Sequence, residues 1–409
     1  MTVKITENAR EIPVSHSCDV LVAGGGIAGI AAAIAAAREG AKVLLLEREY
    51  ALGGMATLGL VTIYLPLCDG EGNQVVFGLG EELLRRSIEH VCEANYPSAW
   101  LNGGSTEDKI RERYIAQFNP HLFALGIEKH LTDLGVTILY GSVACGVSRD
   151  DDAIKHVIIE NKSGRSAIET GAVVDATGDA DICALAGADT VLHGGGNALA
   201  SWYYHFTGGK VSLKMFGLAD VVPGGEHDKT GGDRYTAAKV ATLGNMRFSG
   251  VDGAELSQAV IMAHEKMYED IMQQREKDAD FVPVTMSTIP LVRMSRRMAG
   301  VYTLSDDENK KFQTDSIGMT GDWRRRGPVF ELPFGTLYGD KISNLLAAGR
   351  DISVTDAMWD ITRVIPPCAV TGEAAGAAAA MVCSGGDVRT LDVAMLQKKL
   401  EAHGIKLHL

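Results

Sequence analysis

Three glycines and one acid, set between two apolar runs, are the residues whose types and spacing most clearly predict chemistry. The glycines follow the pattern G-x-G-x-x-G at Gly24, Gly26 and Gly29, and Glu47 ends the second apolar run. The first glycine allows a tight turn, the second lets backbone approach a pyrophosphate, and the third lets a helix pack on a strand. The carboxylate of Glu47 would accept hydrogen bonds from an adenosine ribose. The pattern therefore predicts a dinucleotide site at a helix N-terminus.

The elements that must position these residues surround them in the sequence. Val20–Ala23 is a short apolar run, typical of a buried parallel strand, and Lys42–Leu46 is a second one. Between them, small residues predict a helix from about Ile27 to Arg38, which Gly40 ends. The order strand, helix, strand predicts an α/β fold with a Rossmann-like unit.

Two later stretches predict strands that end at the same site. One buried strand runs into Ala176–Gly178, and Asp181 starts or caps the helix that follows. The other runs through 344–349, and the pair Pro366–Pro367 then precedes a small-residue helix expected over Gly372–Val382. A proline pair at the entrance is consistent with a helix whose N-terminus faces a ligand. Because this helix has no polar face, it should be buried against the sheet.

The composition changes near residue 190, where glycine, aromatic and polar residues replace the buried-strand pattern. A strand is expected over Ser201–Thr207, a long polar helix over Asp252–Glu276 and a strand over Pro283–Arg293. We therefore expect a nucleotide-binding domain at 1–190 with an insertion at about 60–120, an inserted α+β substrate or cap domain at 191–335, and a return to the first domain at 336–409.

Bulk properties narrow the class of partner. A net charge of −13 and a pI near 5.3 disfavour nucleic acid and anionic membranes as partners. Residues 1–17 have no apolar core, so no signal peptide is expected, and no apolar run looks long enough to span a bilayer. Seven scattered cysteines without a C-x-x-C favour reduced thiols, a cytoplasmic location and no metal site. Association into a homo-oligomer stays open.

Taken together, these motifs resemble the FAD-dependent oxidoreductases with the nucleotide-binding fold of glutathione reductase, and most closely a bacterial group of such enzymes. The resemblance covers most of the chain but is poor in detail over 193–280. Besides the residues above, it rests on Gly53-Gly54-Met-Ala-Thr57-x-Gly59, Asp175-Ala-Thr-Gly-Asp-Ala-Asp181, Ser295-Arg-Arg-Met-Ala-Gly300, Ala348-Gly349-Arg350 and Arg363-x-x-Pro366-x-Cys368-x-x-Thr371-Gly372. It implies FAD as the cofactor and a glutathione-reductase type of FAD-binding domain.

The resemblance also implies which residues hold the cofactor. Glu47 and the glycine turn would hold the ADP half, and Thr57 would approach the isoalloxazine. The helix opening near Gly372 would direct its positive end at flavin N1 and C2=O, where negative charge develops. The predicted cofactor-binding residues are Gly24, Gly26, Ile27, Ala28, Gly29, Glu47, Arg48, Gly53, Gly54, Met55, Ala56, Thr57, Ala176, Thr177, Gly178, Asp181, Gly349, Arg350, Asp351, Pro366 and Gly372.

Three residues are the candidates for catalysis. Arg297 and Arg363 could bind a substrate carboxylate in a planar, bidentate way, although Arg297 could equally serve a structural ion pair or the FAD pyrophosphate. His205 has a side chain suited to proton transfer near neutrality, with core packing as the alternative. Cys368 has no second cysteine nearby, so we expect it to pack beside the flavin. The basic run 324–326 is expected in a solvated loop.

These inferences predict an enzyme that moves a hydride between flavin N5 and a small, oxygen-rich or anionic organic substrate. Dehydrogenation of an alcohol, amine or saturated acid, and reduction of an enoate or ketone, both remain open. Only one full G-x-G-x-x-G is present, so electrons would come from the substrate or an external donor or acceptor rather than from a built-in NAD(P)H domain. The alternatives are a flavin monooxygenase or halogenase-like enzyme, and a protein that holds FAD without turnover.

Overall fold

The computed structural model describes residues 5, 6, 8–216 and 246–409, so part of the expected cap domain, 217–245, lies outside the described residues. The strands are β1 (Val14–Ala23), β2 (Val43–Leu46), β3 (Ile63–Tyr64), β4 (Cys92–Ala94), β5 (Ala116–Phe118), β6 (Thr137–Leu139), β7 (Val143–Asp150), β8 (Ala153–Asn161), β9 (Gly164–Asp175), β10 (Thr190–Leu192), β11 (Ser201–Thr207), β12 (Lys210–Phe216), β13 (Val282–Met286), β14 (Arg296–Met298), β15 (Ser316–Gly321), β16 (Val329–Pro333) and β17 (Leu345–Ala347).

The first and the longest helix lie where the sequence predicts them. They are α1 (Ile27–Arg38), α2 (Leu79–Ile88), α3 (Ser98–Leu101), α4 (Thr106–Glu112), α5 (Pro120–Asp133), α6 (Asp181–Ala186), α7 (Gly253–Lys277), α8 (Asp356–Thr362), α9 (Ile365–Val382) and α10 (Val393–Ala402). Asp252 caps α7 by accepting a hydrogen bond from the backbone N–H of Glu255, which explains why the polar run becomes helical at that residue.

A mixed sheet of seven strands positions the predicted dinucleotide motifs. Its order is β6-β2-β1-β9-β8-β7, and β17 pairs with the end of β9. Strands β6, β2, β1, β9 and β17 run parallel, whereas β8 and β7 are antiparallel. Ala23 is level with Leu46 in β2 and with Asp175 in β9, and Ala347 is level with Asp175 from the other side. The carboxyl ends of four parallel strands therefore meet at one edge, and the α/β class is confirmed.

Both faces of this sheet are covered by apolar side chains. Val20 and Val22 of β1 face a large core that includes α1 and α9, while Leu21 and Ala23 face a smaller core with α6. Burial on both sides explains why the strand has a continuous apolar sequence instead of an alternating one.

Helix α9 lies against α1, with backbone in contact with backbone. A Cβ added at Gly372 would lie 2.2 Å from the carbonyl oxygen of Ala28, and one at Gly376 would lie 2.1 Å from that of Ala32. The predicted start of this helix near Gly372 is wrong, because α9 begins at Ile365 and includes the proline pair in its first turn. Proline fits there since its missing N–H would have no helical partner. Gly372 therefore serves helix packing rather than a ligand.

The expectation that no apolar run could span a bilayer is also wrong in its literal form. Among the described residues, one helix, Ile365–Val382, is long and apolar enough by length and composition, but 89% of that stretch is buried inside the protein. Its apolar character follows from its place between α1 and the other core elements.

A second, three-stranded sheet has the order β12-β11-β13, and α7 packs on it through Tyr203, Met267 and Phe281. The strand predicted over Pro283–Arg293 ends at Met286. Beyond it, Pro290 cannot donate to a ladder, and the backbone N–H of Arg293 donates to the side chain of Asn197 instead. The rest of that segment is therefore irregular.

Gly376→Ala should lower the free energy of unfolding by about 1–3 kcal/mol, because the added methyl meets the Ala32 carbonyl. Gly126 in α5 provides the matched control, since a Cβ there meets no atom within 4 Å. Gly126→Ala should stabilise the protein by up to about 1 kcal/mol through helix propensity. Urea unfolding of both variants measures the difference, and equal effects would contradict the close contact of α1 and α9.

The buried carboxyl group of Glu373 predicts a pH dependence of stability. Burial raises the pKa of Glu373 from 4.5 to about 8, although its side chain accepts a hydrogen bond from the backbone N–H of Leu79 at 2.6 Å. The folded state therefore binds more protons than the unfolded state between these two values, and stability should fall as pH rises from about 4.5 to about 8.

Glu373→Gln removes the titration and keeps an acceptor for Leu79. We expect this variant to gain stability over the wild type at about pH 9 and to lose that advantage at about pH 5. Chemical unfolding at both pH values measures the effect, with Glu401→Gln on the exposed side of α10 as the control. An equal stability difference at both pH values would contradict the raised pKa.

Candidate functional site

A cavity of about 560 Å³ opens at the carboxyl ends of β1, β2, β9 and β17. This volume lies in the range of sites for small molecules and cofactors. The predicted residues that line it are Gly24, Gly26, Ile27, Ala28, Glu47, Arg48, Gly53, Gly54, Met55, Ala56, Ala176, Thr177, Gly178, Asp181, Gly349, Arg350 and Arg363. Seven predicted residues do not line it, namely Gly29, Thr57, Asp351, Pro366, Gly372, Arg297 and His205.

The three motif glycines have distinct roles. Gly24 has a φ of +103°, and a Cβ there would lie 2.3 Å from the Ala176 carbonyl oxygen. A Cβ on Gly29 would lie 1.8 Å from the Gly24 carbonyl oxygen, so Gly29 packs helix on strand, as its position in the motif predicts. At Gly26 a Cβ would meet nothing within 4 Å, yet the residue lines the cavity. Its open side is therefore space for a ligand.

The N-terminus of α1 points its backbone into that space. Gly26 is the N-cap residue, no side chain caps the helix, and Ile27 and Ala28 line the cavity. The first N–H groups of a helix have no intrahelical partner, and the helix dipole favours negative charge there. These residues fit a pyrophosphate group.

Glu47 is a fixed acceptor at the edge of the cavity. One carboxylate oxygen accepts the N–H of Gly25 at 2.7 Å, and the other accepts the N–H of Glu49 at 2.8 Å. Burial raises the pKa of Glu47, against the lowering effect of these two N–H groups and of Arg48. Each oxygen has a further lone pair, so the carboxylate can also accept hydrogen bonds from a ribose.

Thr57 is not among the residues that line the cavity, and its contact with the flavin ring stays a prediction. Its hydroxyl donates to the carbonyl oxygen of Leu52 at 2.5 Å. A Cβ at Gly53 would lie 2.3 Å from the Thr57 methyl group. Thr57 therefore supports the turn at Gly53, and it is that turn, with Gly54 and Met55, that lines the cavity.

Asp351 also lies behind the cavity wall rather than in it. One of its carboxylate oxygens accepts the N–H of Gly178 at 3.0 Å, while Asp175 accepts the N–H and hydroxyl of Thr177. Burial, with the nearby charges of Asp175 and Asp179, raises the pKa of Asp351 well above its usual range. The two acids hold the turn after β9, and the turn itself faces the ligand.

A network of buried charges lies at the entrance of α9. Arg363 lines the cavity and donates through Nε to Asp360 at 3.0 Å. Arg324 contacts the same carboxylate at 3.4 Å and Asp322 at 2.9 Å. Arg324 is only 6% exposed, so the expectation of a solvated loop is wrong at this residue. Its acidic partner in α8 lies far away in the sequence.

The first turn of α9 offers few donors to the cavity. Val364 and Ile365 line it, but Pro366 and Pro367 have no N–H. The positive end of the helix dipole remains, and Arg363 supplies the hydrogen-bond donors at this position. Cys368 lines the cavity as well, and burial raises the pKa of its thiol to about 12, so the thiol stays neutral.

The other two catalytic candidates lie outside the cavity lining. His205 stacks on Phe281 at a centroid distance of 4.6 Å, where the strand β11 faces α7, and burial lowers the pKa of its ring. Arg297 in β14 lies over the ring of Trp359 at 5.8 Å and is 8% exposed. Arg297 is therefore buried, and His205 is half-buried between β11 and Phe281. No group of three His, Cys, Asp or Glu side chains suited to a metal is found in the described part of the chain.

Several lining residues carry little sequence signal. Arg293 belongs to the cationic segment before Arg297, and Trp323 precedes the basic run, so both could have been found by proximity to those motifs. Trp202 lines the cavity, and its indole Nε1 is buried without a hydrogen-bond partner. The remaining segments, 61–65 and 289–292, contribute mainly apolar side chains that no motif marks.

Comparison with known proteins decides the family. The model of FAD dependent oxidoreductases matches residues 19–242 and 245–400. The chain belongs to this family. The cofactor of this family is FAD, and the open Gly26, the uncapped α1 and the fixed Glu47 fit that cofactor. Among curated proteins, none matches the sequence significantly.

Similar solved structures include an aromatic hydroxylase from angucycline biosynthesis, with a TM-score of 0.45, 15% identity, 95% of this chain covered and 66% of that one. A p-nitrophenol 4-monooxygenase from Pseudomonas putida has a TM-score of 0.41 and 12% identity, with 95% of this chain and 89% of that one covered. A geranylgeranyl bacteriochlorophyll reductase-like protein from Thermoplasma acidophilum has a TM-score of 0.40 and 14% identity, with 95% and 82% covered. The chain thus spans about two thirds of the length of the hydroxylase.

Gly26→Leu should prevent FAD binding and leave the apoprotein folded. Its φ of −71° suits any residue, and the side chain would enter space that belongs to the cavity. We expect FAD affinity to fall by more than about tenfold, measured by the flavin absorbance retained per polypeptide. Gly24→Ala is the contrasting variant, because it should destabilise the apoprotein itself. A Gly26→Leu protein that keeps its yellow colour would contradict this assignment.

Proposed function

We propose that this enzyme transfers a hydride between a small organic substrate and N5 of FAD. The observation that carries the proposal is the single cavity that extends from the glycine turn to an apolar region lined by Trp202, 289–293 and Arg363. Bound FAD supplies the redox step, accepting or donating a hydride at N5. The second region would give the substrate a place beside the cofactor within the same cavity.

The residues of this chain would bind and orient the cofactor and exclude water from its ring. The N-terminus of α1 binds the pyrophosphate, and Glu47 orients the ribose. The turn at Gly53 bounds the region of the ring, where Met55 and the apolar side chains of 61–65 exclude water. Arg363 and the positive end of α9 favour negative charge at the opposite wall.

The domain division forms part of the proposal. Residues 1–190 and 336–409 would make an FAD-binding domain of glutathione-reductase type, and 191–335 an inserted cap that supplies the substrate's surroundings. In support, the lining residues Trp202, Met215 and 289–293 all come from 191–335. The seven cysteines are unpaired, which favours a reducing, cytoplasmic setting. An external molecule would restore the flavin after each turnover.

Anaerobic mixing of the FAD-loaded enzyme with small alcohols, amines and organic acids tests this function. We expect one class to bleach the flavin in the absence of oxygen, or the photoreduced enzyme to regain its colour with an enoate or ketone. His205→Phe is the matched control, because the His205 ring lies outside the cavity lining. This substitution should leave the rate and its pH profile unchanged.

Two results would contradict hydride transfer to or from an organic substrate. Fast NAD(P)H consumption in air would identify an oxygen-using enzyme, a monooxygenase if oxygen is incorporated into the product and a halogenase-like enzyme if a halogen is incorporated. A flavin that is photoreduced normally but responds to no compound of the panel would identify a protein that holds FAD without turnover.

A further inference from the structure

Arginine supplies the charged side chains in the substrate region of the cavity. Within the described part of that region, lined by 61–65, Trp202, 289–293, Trp323 and 363–368, the charged residues are Arg293 and Arg363. Of the acidic lining residues, Glu47, Asp179 and Asp181 belong to the cofactor motifs, and Glu49 lies two residues after Glu47. Cys368 adds no negative charge, because its thiol is neutral. A ligand in this region therefore meets cationic and apolar surfaces.

Asp360 holds Arg363 in place. It is 1% exposed, and it accepts hydrogen bonds from Nε and Nη2 of Arg363. The charge of Arg293 also lowers the pKa of Asp360, so Arg293 acts on the same carboxylate. The indole N–H of Trp323 donates to the backbone oxygen of Asp360 at 2.9 Å. Arg363 is therefore fixed before any ligand binds.

The carboxylate beside the cavity is shared between two cations. Asp360 pairs with Arg363 and also contacts Arg324, which pairs with Asp322 as well. Asp306 adds negative charge near Arg324, so that arginine is compensated inside the protein. Arg363 lines the cavity and shares its carboxylate partner, and charge-assisted hydrogen bonds from a fixed guanidinium are among the strongest a protein forms.

We propose that the substrate carries a carboxylate, which binds Arg363 with Arg293 at the entrance of α9 while its carbon skeleton packs on the apolar lining. This inference rests on the proposed function for the position of the substrate beside FAD. A carboxylate matches the planar fork of guanidinium, and the neighbouring Trp323, Trp202 and Leu65 provide surface for the organic part of the molecule. Because Asp360 preorganises Arg363, little entropy is lost on binding.

Ligand titrations of the FAD-loaded enzyme test the proposal without requiring turnover. Acetate, benzoate and succinate are each compared with the corresponding amide, and the change in flavin absorbance is followed. We expect at least one acid to bind saturably and more than about tenfold tighter than its amide. Arg363→Met should lower the affinity for that acid by more than about tenfold. Arg363→Lys should lower it by less, because lysine keeps the charge and loses only the planar fork.

The controls separate a substrate site from other roles of the arginines. Arg111→Met on α4, an exposed residue paired with Asp108, should leave acid binding unchanged. FAD affinity of Arg363→Met should stay within about threefold of the wild type. Arg293→Met provides a second variant, with the same expected loss of acid binding, if Arg363→Met does not fold.

Four outcomes would overturn the proposal. The first two are equal binding of acids and amides, and no response of the flavin absorbance to any of the three acids. The third is tighter binding of inorganic phosphate than of each acid. The fourth is an Arg363→Met variant that loses FAD binding but keeps acid binding. None of them depends on hydride transfer. If acids bind through Arg363 but no compound bleaches the flavin, the hydride-transfer function fails while the carboxylate site stands. If a neutral compound bleaches the flavin and no acid binds, the carboxylate site fails while the hydride-transfer function stands.

Discussion

Direct contact between the backbones of α1 and α9 is the constraint on which the rest of the structure depends. Ala28 is the shared residue. Its carbonyl oxygen faces Gly372, and its methyl group would lie 2.7 Å from a Cβ added at Gly349. Ala28 also lines the cavity. Any side chain at Gly372 or Gly349 would push α9 and β17 away from α1. Glycine at these positions therefore brings two helix N-termini and the end of β17 to a single cavity.

That geometry explains why the buried charges lie behind the cavity walls. On the cofactor side, Asp175 and Asp351 hold the turn after β9 by accepting backbone N–H groups. Burial and the neighbouring acids raise the pKa of Asp351, which favours its neutral form and weakens its repulsion of a bound phosphate. On the other side, Asp360 holds Arg363 in place. In both regions an acid positions the group that faces the ligand, which is backbone in the first and a guanidinium in the second.

The sequence predicted the strands and the helix around the glycine turn well because their requirements are local. Gly24, Gly26 and Glu47 are fixed by the turn between adjacent elements, and the ends of β9 and β17 follow from parallel pairing. The start of α9 was misplaced because Pro366–Pro367 were taken to precede the helix, although proline is tolerated in the first turn. The burial of Arg324 depends on Asp360 in another element, and the direction in which His205 points depends on how α7 packs. Such facts are tertiary, and no local pattern contains them.

The substrate region is therefore assembled from segments that only the folded chain brings together. The hydroxyl of Tyr204 in β11 lies 3.0 Å from that of Thr62 beside β3 and donates to Glu93 at 2.6 Å. These bonds fix Trp202, two residues earlier on the same face of β11, against the apolar segment 61–65. The indole Nε1 of Trp202 is itself buried away from the cavity surface, so the ring offers carbon atoms to a ligand. The apolar ring of Trp202 and the cationic fork of Arg363 thus favour the same class of molecule, one with an apolar skeleton and an anionic oxygen group.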